Sequence, residues 1–130
     1  MPLLRIDVYK GRNESDLKKL LDVIHNITVE VFNIPPRDRY QIINEHSPEH
    51  LIVQDSGLNI PRTKDFVMIQ VTTRKRSQKM KETFYSRLAE ELHKKCGIAQ
   101  SDVMINFVTC GDEDWSFGNG RAQFLINELS

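Results

Sequence analysis

The sequence predicts an α/β chain, more closely α+β in its segregation of layers, in which a tandem β-α-β repeat builds a four-stranded mixed sheet with two helices on one face. Three observations carry that prediction. Two amphipathic helical stripes are each flanked by strand-like apolar runs. Sliding the 130-residue chain by 64 positions lays Phe32-Asn33-Ile34-Pro35-Pro36-Arg37-Asp38 over Cys96-Gly97-Ile98-Ala99-Gln100-Ser101-Asp102, and Arg12 over Arg76, without a gap. A content of 39% hydrophobic residues is enough for one compact core that needs neither metals nor disulfides.

Each element can be justified in turn. Leu3 to Tyr9 reads as a strand. Asn13 is placed to cap a helix whose apolar residues Leu17, Leu20, Leu21, Ile24, Ile27 and Val31 keep the helical period. A second strand begins at Arg39. The pattern returns with a Val/Met/Ile strand from Phe66 to Thr73, a cap at Ser77, and a helix carrying Met80, Phe84, Leu88, Leu92 and Cys96 that Gly97 closes. A last strand runs from Val103 to Val108. One domain over residues 1–130 is expected, with repeat units of about 2–46 and 65–110. The stretch Asn44 to Lys64, with Pro48, Gly57 and Pro61, joins the copies. The tail from Gly111 to Ser130 falls outside both and needs an apolar surface to cover, for which a neighbouring subunit is a candidate.

Charge and composition exclude several function classes. Lys and Arg number 18 against 18 Asp and Glu, so no global field points to nucleic acid or a membrane surface as partner. The first residues lack the basic start and apolar run of a signal peptide, and no segment reaches membrane-spanning length, so a cytoplasmic protein is expected. Cys96 and Cys110 are far apart in apolar surroundings and read as reduced core thiols. His46 and His50 are four apart among acids, but Pro48 between them disfavours the helix a metal pair would need, so no metal is expected. Gly118-Asn119-Gly120 lacks the context of a phosphate loop and reads as a turn.

The predicted topology places chemistry at one corner. Parallel pairing sets the start of the second strand, near Asp38, beside the start of the first, at Pro2. Antiparallel pairing of the central strands brings the end of the third strand, with Arg74 and Arg76, to the same place. Residues two apart on a strand share a face, so these guanidinium groups form one cationic patch, while Lys75 points away. Repeat symmetry predicts a second corner from Phe66, Asp102 and Arg12, where mid-chain backbone replaces the chain start. Methionine is normally trimmed when proline follows, which would leave Pro2 as a secondary amine. An α-amino group titrates near neutrality, so either protonation state is accessible. The two arginines push its pKa down and Asp38 pushes it up, leaving the sign open. A neutral Pro2 is a general base, and a cationic Pro2 polarises a carbonyl or forms an iminium. Arg74 and Arg76 suit a substrate carboxylate, which a guanidinium fork holds with two hydrogen bonds.

Pro2-Leu3-Leu4, Asp38-Arg39-Tyr40, Arg74-Lys75-Arg76-Ser77, Cys96-Gly97-Ile98 and the tail from Asp114-Trp115-Ser116-Phe117-Gly118 to Phe124 together resemble the tautomerase superfamily, and within it malonate semialdehyde decarboxylases, nearly end to end. The resemblance implies a tautomerase-like fold and a cofactor-free homotrimer with sites near subunit boundaries. It implies that Pro2 is the catalytic amine and that Asp38 positions or activates water. Arg74 and Arg76 bind the substrate carboxylate, and Trp115, Phe117, Phe124 and Leu129 form an apolar wall. Such a wall favours loss of neutral carbon dioxide from a twisted carboxylate. The expected activity is decarboxylation of a small β-carbonyl acid such as malonate semialdehyde, with a hydratase side activity. The alternatives are a keto-enol tautomerase of 2-oxo acids, with Pro2 as base, and a non-catalytic trimeric binding protein.

Overall fold

A computed structural model describes residues 1–129. Its main elements are β1 (Pro2–Tyr9), α1 (Glu14–Phe32), β2 (Tyr40–His46), β3 (Val67–Arg74), α2 (Gln78–Cys96) and β4 (Val103–Cys110). The strands form one sheet in the order β2-β1-β3-β4. Within each repeat the strands pair in parallel, β1 with β2 and β3 with β4, and the two repeats meet through the antiparallel pair β1 and β3.

Local chemistry sets the helix ends. The Asn13 side chain accepts a hydrogen bond from the Asp16 amide at 2.8 Å, and Ser77 Oγ accepts one from the Met80 amide at 3.1 Å. Each satisfies a backbone donor that the first helical turn leaves without a partner. At the other ends Asn33 and Gly97 both adopt the left-handed conformation, with φ of 53° and 68°. The Gly97 amide returns to the His93 carbonyl at 3.1 Å, which halts α2 and turns the chain toward β4.

The core lies between the sheet and the helices. Leu4, Ile6 and Val8 of β1 and Val67, Ile69 and Val71 of β3 point to the helix side, following the two-residue period, and are almost wholly shielded from water. Leu20 and Ile24 of α1 and Phe84, Leu88 and Leu92 of α2 cover them. Each such side chain contributes about 1.5–3 kcal/mol by leaving water, an upper range for a compact unfolded reference. Across the helix pair, Arg87 donates from Nε and Nη2 to the two carboxylate oxygens of Glu30 at 2.8 and 3.0 Å, joining α2 to α1.

Several expectations are adjusted by the structure. β2 continues through His46, so the connection between the repeats starts later than Asn44. At the end of that strand His46 Nε2 is hydrogen-bonded to Asp7 Oδ1 at 2.6 Å, while His50 sits in a single 3-10 turn and meets Ser47. The thiols are half-buried rather than enclosed in apolar core: Cys110 Sγ accepts the Trp115 indole N–H at 3.1 Å, and Cys96 borders a basic cavity. Gly118 and Arg121 form an isolated antiparallel bridge around Asn119 and Gly120, both at positive φ (61° and 65°), so this segment is a tight turn.

Candidate active site

The register explains why four distant residues meet. Leu3 is opposite Tyr40 in the parallel pair and Pro2 is opposite Thr73 in the antiparallel pair. The first residue of β1 is therefore flanked by the residues just before β2 on one side and by the end of β3 on the other. Asp38 is held by the turn after α1, where its amide donates to the Pro35 carbonyl at 3.0 Å. The same loop is pinned to α1 by His25 Nε2, 2.6 Å from the Pro36 carbonyl oxygen. Arg39 turns outward to Asp22 at 2.9 Å, so the acid of this pair faces the corner and the base faces solvent.

A cavity of about 490 Å³ opens at this corner, lined among others by Met1, Asp38, Arg74, Arg76, Phe117 and Phe124. Met1 is 5% exposed, and its ammonium group donates to Asp38 Oδ2. Burial is the largest influence on this amine and lowers its pKa from the ordinary 8.0; Asp38 acts in the opposite direction, and Arg76 and Arg74 lower it further. Pro2 is buried directly behind it.

The two arginines reach the cavity by different routes. Arg74 ends β3, whereas Arg76 lies beyond the strand, so strand alternation alone does not align them. Arg74 packs its guanidinium over the Phe124 ring at 3.8 Å from the centroid and donates from Nη1 to Asp112 at 3.0 Å. Arg76 lies over the Phe32 ring at 5.0 Å and donates from Nε to Thr73 Oγ1 at 3.2 Å. Burial, then the neighbouring Arg74 charge, lowers the Arg76 pKa from its usual value, although it stays a cation at any physiological pH. Lys75 between them is exposed.

Phe117 and Phe124 of the tail cover this corner of their own chain, while Leu125 and Ile126 stay exposed. Phe124 is 7% exposed and meets Phe117 edge to face, with centroids 5.4 Å apart. Phe117 also stacks on Trp115 at 5.5 Å and 9°. Leu129 lines the cavity, while Trp115 stands behind Phe117 and is absent from the lining. Gln123 fixes the arrangement: its Oε1 accepts from the Phe117 amide at 2.9 Å and its Nε2 donates to the Gly118 carbonyl at 2.8 Å.

Sequence reasoning missed Phe32, Tyr40 and Gln123. Tyr40 lines the cavity and stacks on Phe117 with centroids 6.0 Å apart. Its signal was available, because it is the first residue of β2 and pairs with Leu3. Gln123 offered none, since an irregular tail has no periodicity from which burial can be read.

That a tandem β-α-β chain brings its own amino end, a carboxylate and two guanidinium groups into one aromatic-walled cavity marks this corner as the candidate active site. Comparison with known proteins gives the family. Family models described as tautomerase enzyme match residues 38–118 and 2–59. Probable tautomerase YrdN of Bacillus subtilis (strain 168) is 50% identical over 129 residues, spanning 99% of this chain and all of the relative. Probable tautomerase YusQ of the same organism is 34% identical over 126 residues, covering 96% and 99% of the two chains. A crystal structure of malonate semialdehyde decarboxylase superposes with a TM-score of 0.96 at 40% identity, covering 98% of this chain and 99% of that one. The protein belongs to the tautomerase superfamily and is malonate semialdehyde decarboxylase-like within it.

Proposed function

We propose that the chain, after loss of Met1, is a cofactor-free decarboxylase of a small β-carbonyl acid such as malonate semialdehyde. The observation that carries this reading is the meeting of the chain start, Asp38, Arg74 and Arg76 under the Phe117–Phe124 wall in one cavity. Arg74 and Arg76 hold the substrate carboxylate, with the planar fork of each supported by an aromatic ring. Cationic Pro2 lies toward the carbonyl oxygen. The bond between the carboxylate carbon and the methylene carbon breaks, its electron pair enters the carbonyl as an enolate, and carbon dioxide leaves into the apolar end of the cavity. Pro2 stabilises the enolate, and its ammonium proton, regained afterwards from water, passes to the carbon and completes acetaldehyde. Asp38 holds the Pro2 cation and positions water; with a substrate carrying an activated alkyne or alkene the same water adds to carbon, giving a hydratase side activity.

Met1 supports the need for processing, because its side chain and amine occupy the place beside Asp38 that substrate requires. The unprocessed chain corresponds to the binding-protein alternative, and intact mass distinguishes the two forms. A homotrimer fits the exposed apolar residues of the outer sheet face, Tyr40, Ile42, Met104 and Val108. No helix among the described residues is long and apolar enough to cross a membrane, and we place the protein in the cytoplasm.

One observation favours a second reading, a keto-enol tautomerase of 2-oxo acids. Burial lowers the pKa of the Met1 amine at this corner, and a Pro2 amine left equally buried by processing is by the same cause favoured as a neutral base. The deciding experiment is turnover of malonate semialdehyde by the processed protein, following acetaldehyde release, beside a Pro2→Ala variant. Pro2-dependent release supports the decarboxylase. Rapid ketonisation of an enolpyruvate without release makes it a tautomerase, and inactivity toward both overturns each.

A further inference from the structure

The repeat that builds the catalytic corner also builds its mirror. The 64-residue shift carries Arg74 and Arg76 onto Lys10 and Arg12. At that place, past the end of β1, the structure has a second cavity of about 330 Å³. Two features prevent it from repeating the chemistry of the first. Phe66, fully buried, stands where Pro2 stands, so there is no amine. Asp102, the counterpart of Asp38, is 1% exposed and spends both carboxylate oxygens on Thr63, accepting from its amide at 2.7 Å and its hydroxyl at 2.5 Å. The carboxylate that balances the first corner is thereby withdrawn from the second.

The cations remain and are reinforced. Arg12 is anchored by donation from Nη2 to the Asp65 carbonyl at 2.7 Å, and Lys10, Lys19, Lys64 and Lys95 surround it on the cavity wall. Asp16 and Asp65 are the acids of this lining. Lys95 bonds to Glu91 at 3.2 Å, but among the described residues Lys10, Lys19 and Lys64 make no ion pair. Like charges gathered without partners repel one another, and an anion seated among them relieves that repulsion. The geometry of the donors selects the anion. A pair of planar guanidinium forks suits a planar carboxylate, whereas one fork among several ammonium point charges suits a tetrahedral, doubly charged group.

We propose that this second corner binds a phosphate group, either free or carried on a small metabolite, and that it has no catalytic role. The cavity is three-sided in chemistry: Lys10 and Arg12 from the end of β1, Lys19 from α1, and Lys64 from the connection between the repeats. Occupation therefore ties that connection to the first repeat.

The test is calorimetric titration of the intact, processed protein with inorganic phosphate and, separately, glycerol 3-phosphate. It is run in the parent and in an Arg76→Gln variant that weakens anion binding at the catalytic corner. Saturable binding that survives Arg76→Gln and weakens at least tenfold when Lys10→Gln and Lys64→Gln are added is the expected result. Both lysines are exposed, so the added changes leave the core untouched, which an unchanged melting temperature without ligand verifies. Should Arg76→Gln fail to fold, the same tenfold loss is read in the parent background. Tighter binding of the ester identifies a metabolite as the source; equal binding identifies free phosphate. No saturable binding in the parent, or binding unchanged by the two lysine substitutions, overturns the proposal.

Discussion

Asp38 faces the amine rather than either arginine, and that choice governs the pH behaviour of the site. It is the main influence that raises the amine pKa, against burial and the Arg76 and Arg74 charges that lower it. For the Met1 amine the balance is a lowering from 8.0; the Pro2 amine that processing exposes meets the same neighbours, and its cationic form is lost as pH rises through the midpoint they set. A decarboxylase that needs the cation therefore loses kcat on the alkaline side of this midpoint, and a tautomerase that needs the free amine gains it. Asp38→Asn removes the raising influence, so the midpoint measured in a pH–rate profile moves to lower pH in either case; a midpoint that stays in place shows that Asp38 does not act through the amine. Pro2→Ala keeps a terminal amine but loses the secondary, ring-held nitrogen, and turnover is expected to fall on the order of 10²-fold or more, as when one preorganised charge-stabilising group is removed. Arg76→Lys retains the charge and loses the fork, so KM rises about tenfold, consistent with loss of about 1.4 kcal/mol of binding, while the Phe32 ring loses its planar partner. The meeting of the chain start, Asp38 and Arg74 was legible from the sequence because register arithmetic needs only strand direction, whereas Arg76 reaches the same cavity from beyond the strand, where alternation gives no guide. Phe32 was not singled out, because its aromatic support of Arg76 depends on a side-chain path that lies beyond the strand.

Helix α2 begins one residue after Ser77, and Ser77 follows Arg76, so the capping bond lies directly beside the residue proposed to bind substrate. Ser77→Ala deletes the acceptor for the Met80 amide and is expected to cost about 1 kcal/mol in a denaturant melt. A change confined to stability shows that the cap acts only on the helix; an additional rise in KM shows that it positions Arg76. Asn13→Ala, which removes the equivalent bond to Asp16 at the start of α1, serves as the control: a similar loss of stability with KM unchanged is expected, because Arg12 before it borders the second cavity instead. Helices and caps were readable because each carries a period and a punctuating residue. The tail was readable only as apolar and left over: its turns follow from Asn119 and Gly120, but its docking over Arg74 rests on Phe124 and on the Gln123 bridge, neither of which any period announces.

At the scale of the whole molecule, the duplication explains both what the fold shares between its halves and what it does not. Two copies of one unit meeting through β1 and β3 give two equivalent corners, but only one can contain the chain start. The topology was legible because the 64-residue shift is gapless through the turn that ends each helix. The asymmetry was legible only in part, since the sequence aligns Asp102 with Asp38 while the structure turns Asp102 inward onto Thr63. Helices cover one face of the sheet and leave the other bare, and on that outer face Tyr40 and Ile42 of β2 and Met104 and Val108 of β4 are between 38% and 44% exposed. Burying such side chains between subunits stabilises association by about 25 cal/mol per Å² of apolar area, less the cost of lost subunit motion. The proposed homotrimer is therefore expected to sediment at three times the 15.1 kDa chain mass. Ile42→Lys and Val108→Lys place charges on this face without entering the core, so a folded but smaller species is expected from the pair. If that species also loses turnover, the catalytic corner needs a neighbouring subunit for completion. If it keeps full turnover, the corner works within one chain, and assembly supplies stability alone. A variant that still sediments as a trimer removes the outer face from the interface and directs attention to the exposed tail residues Leu125, Ile126 and Leu129.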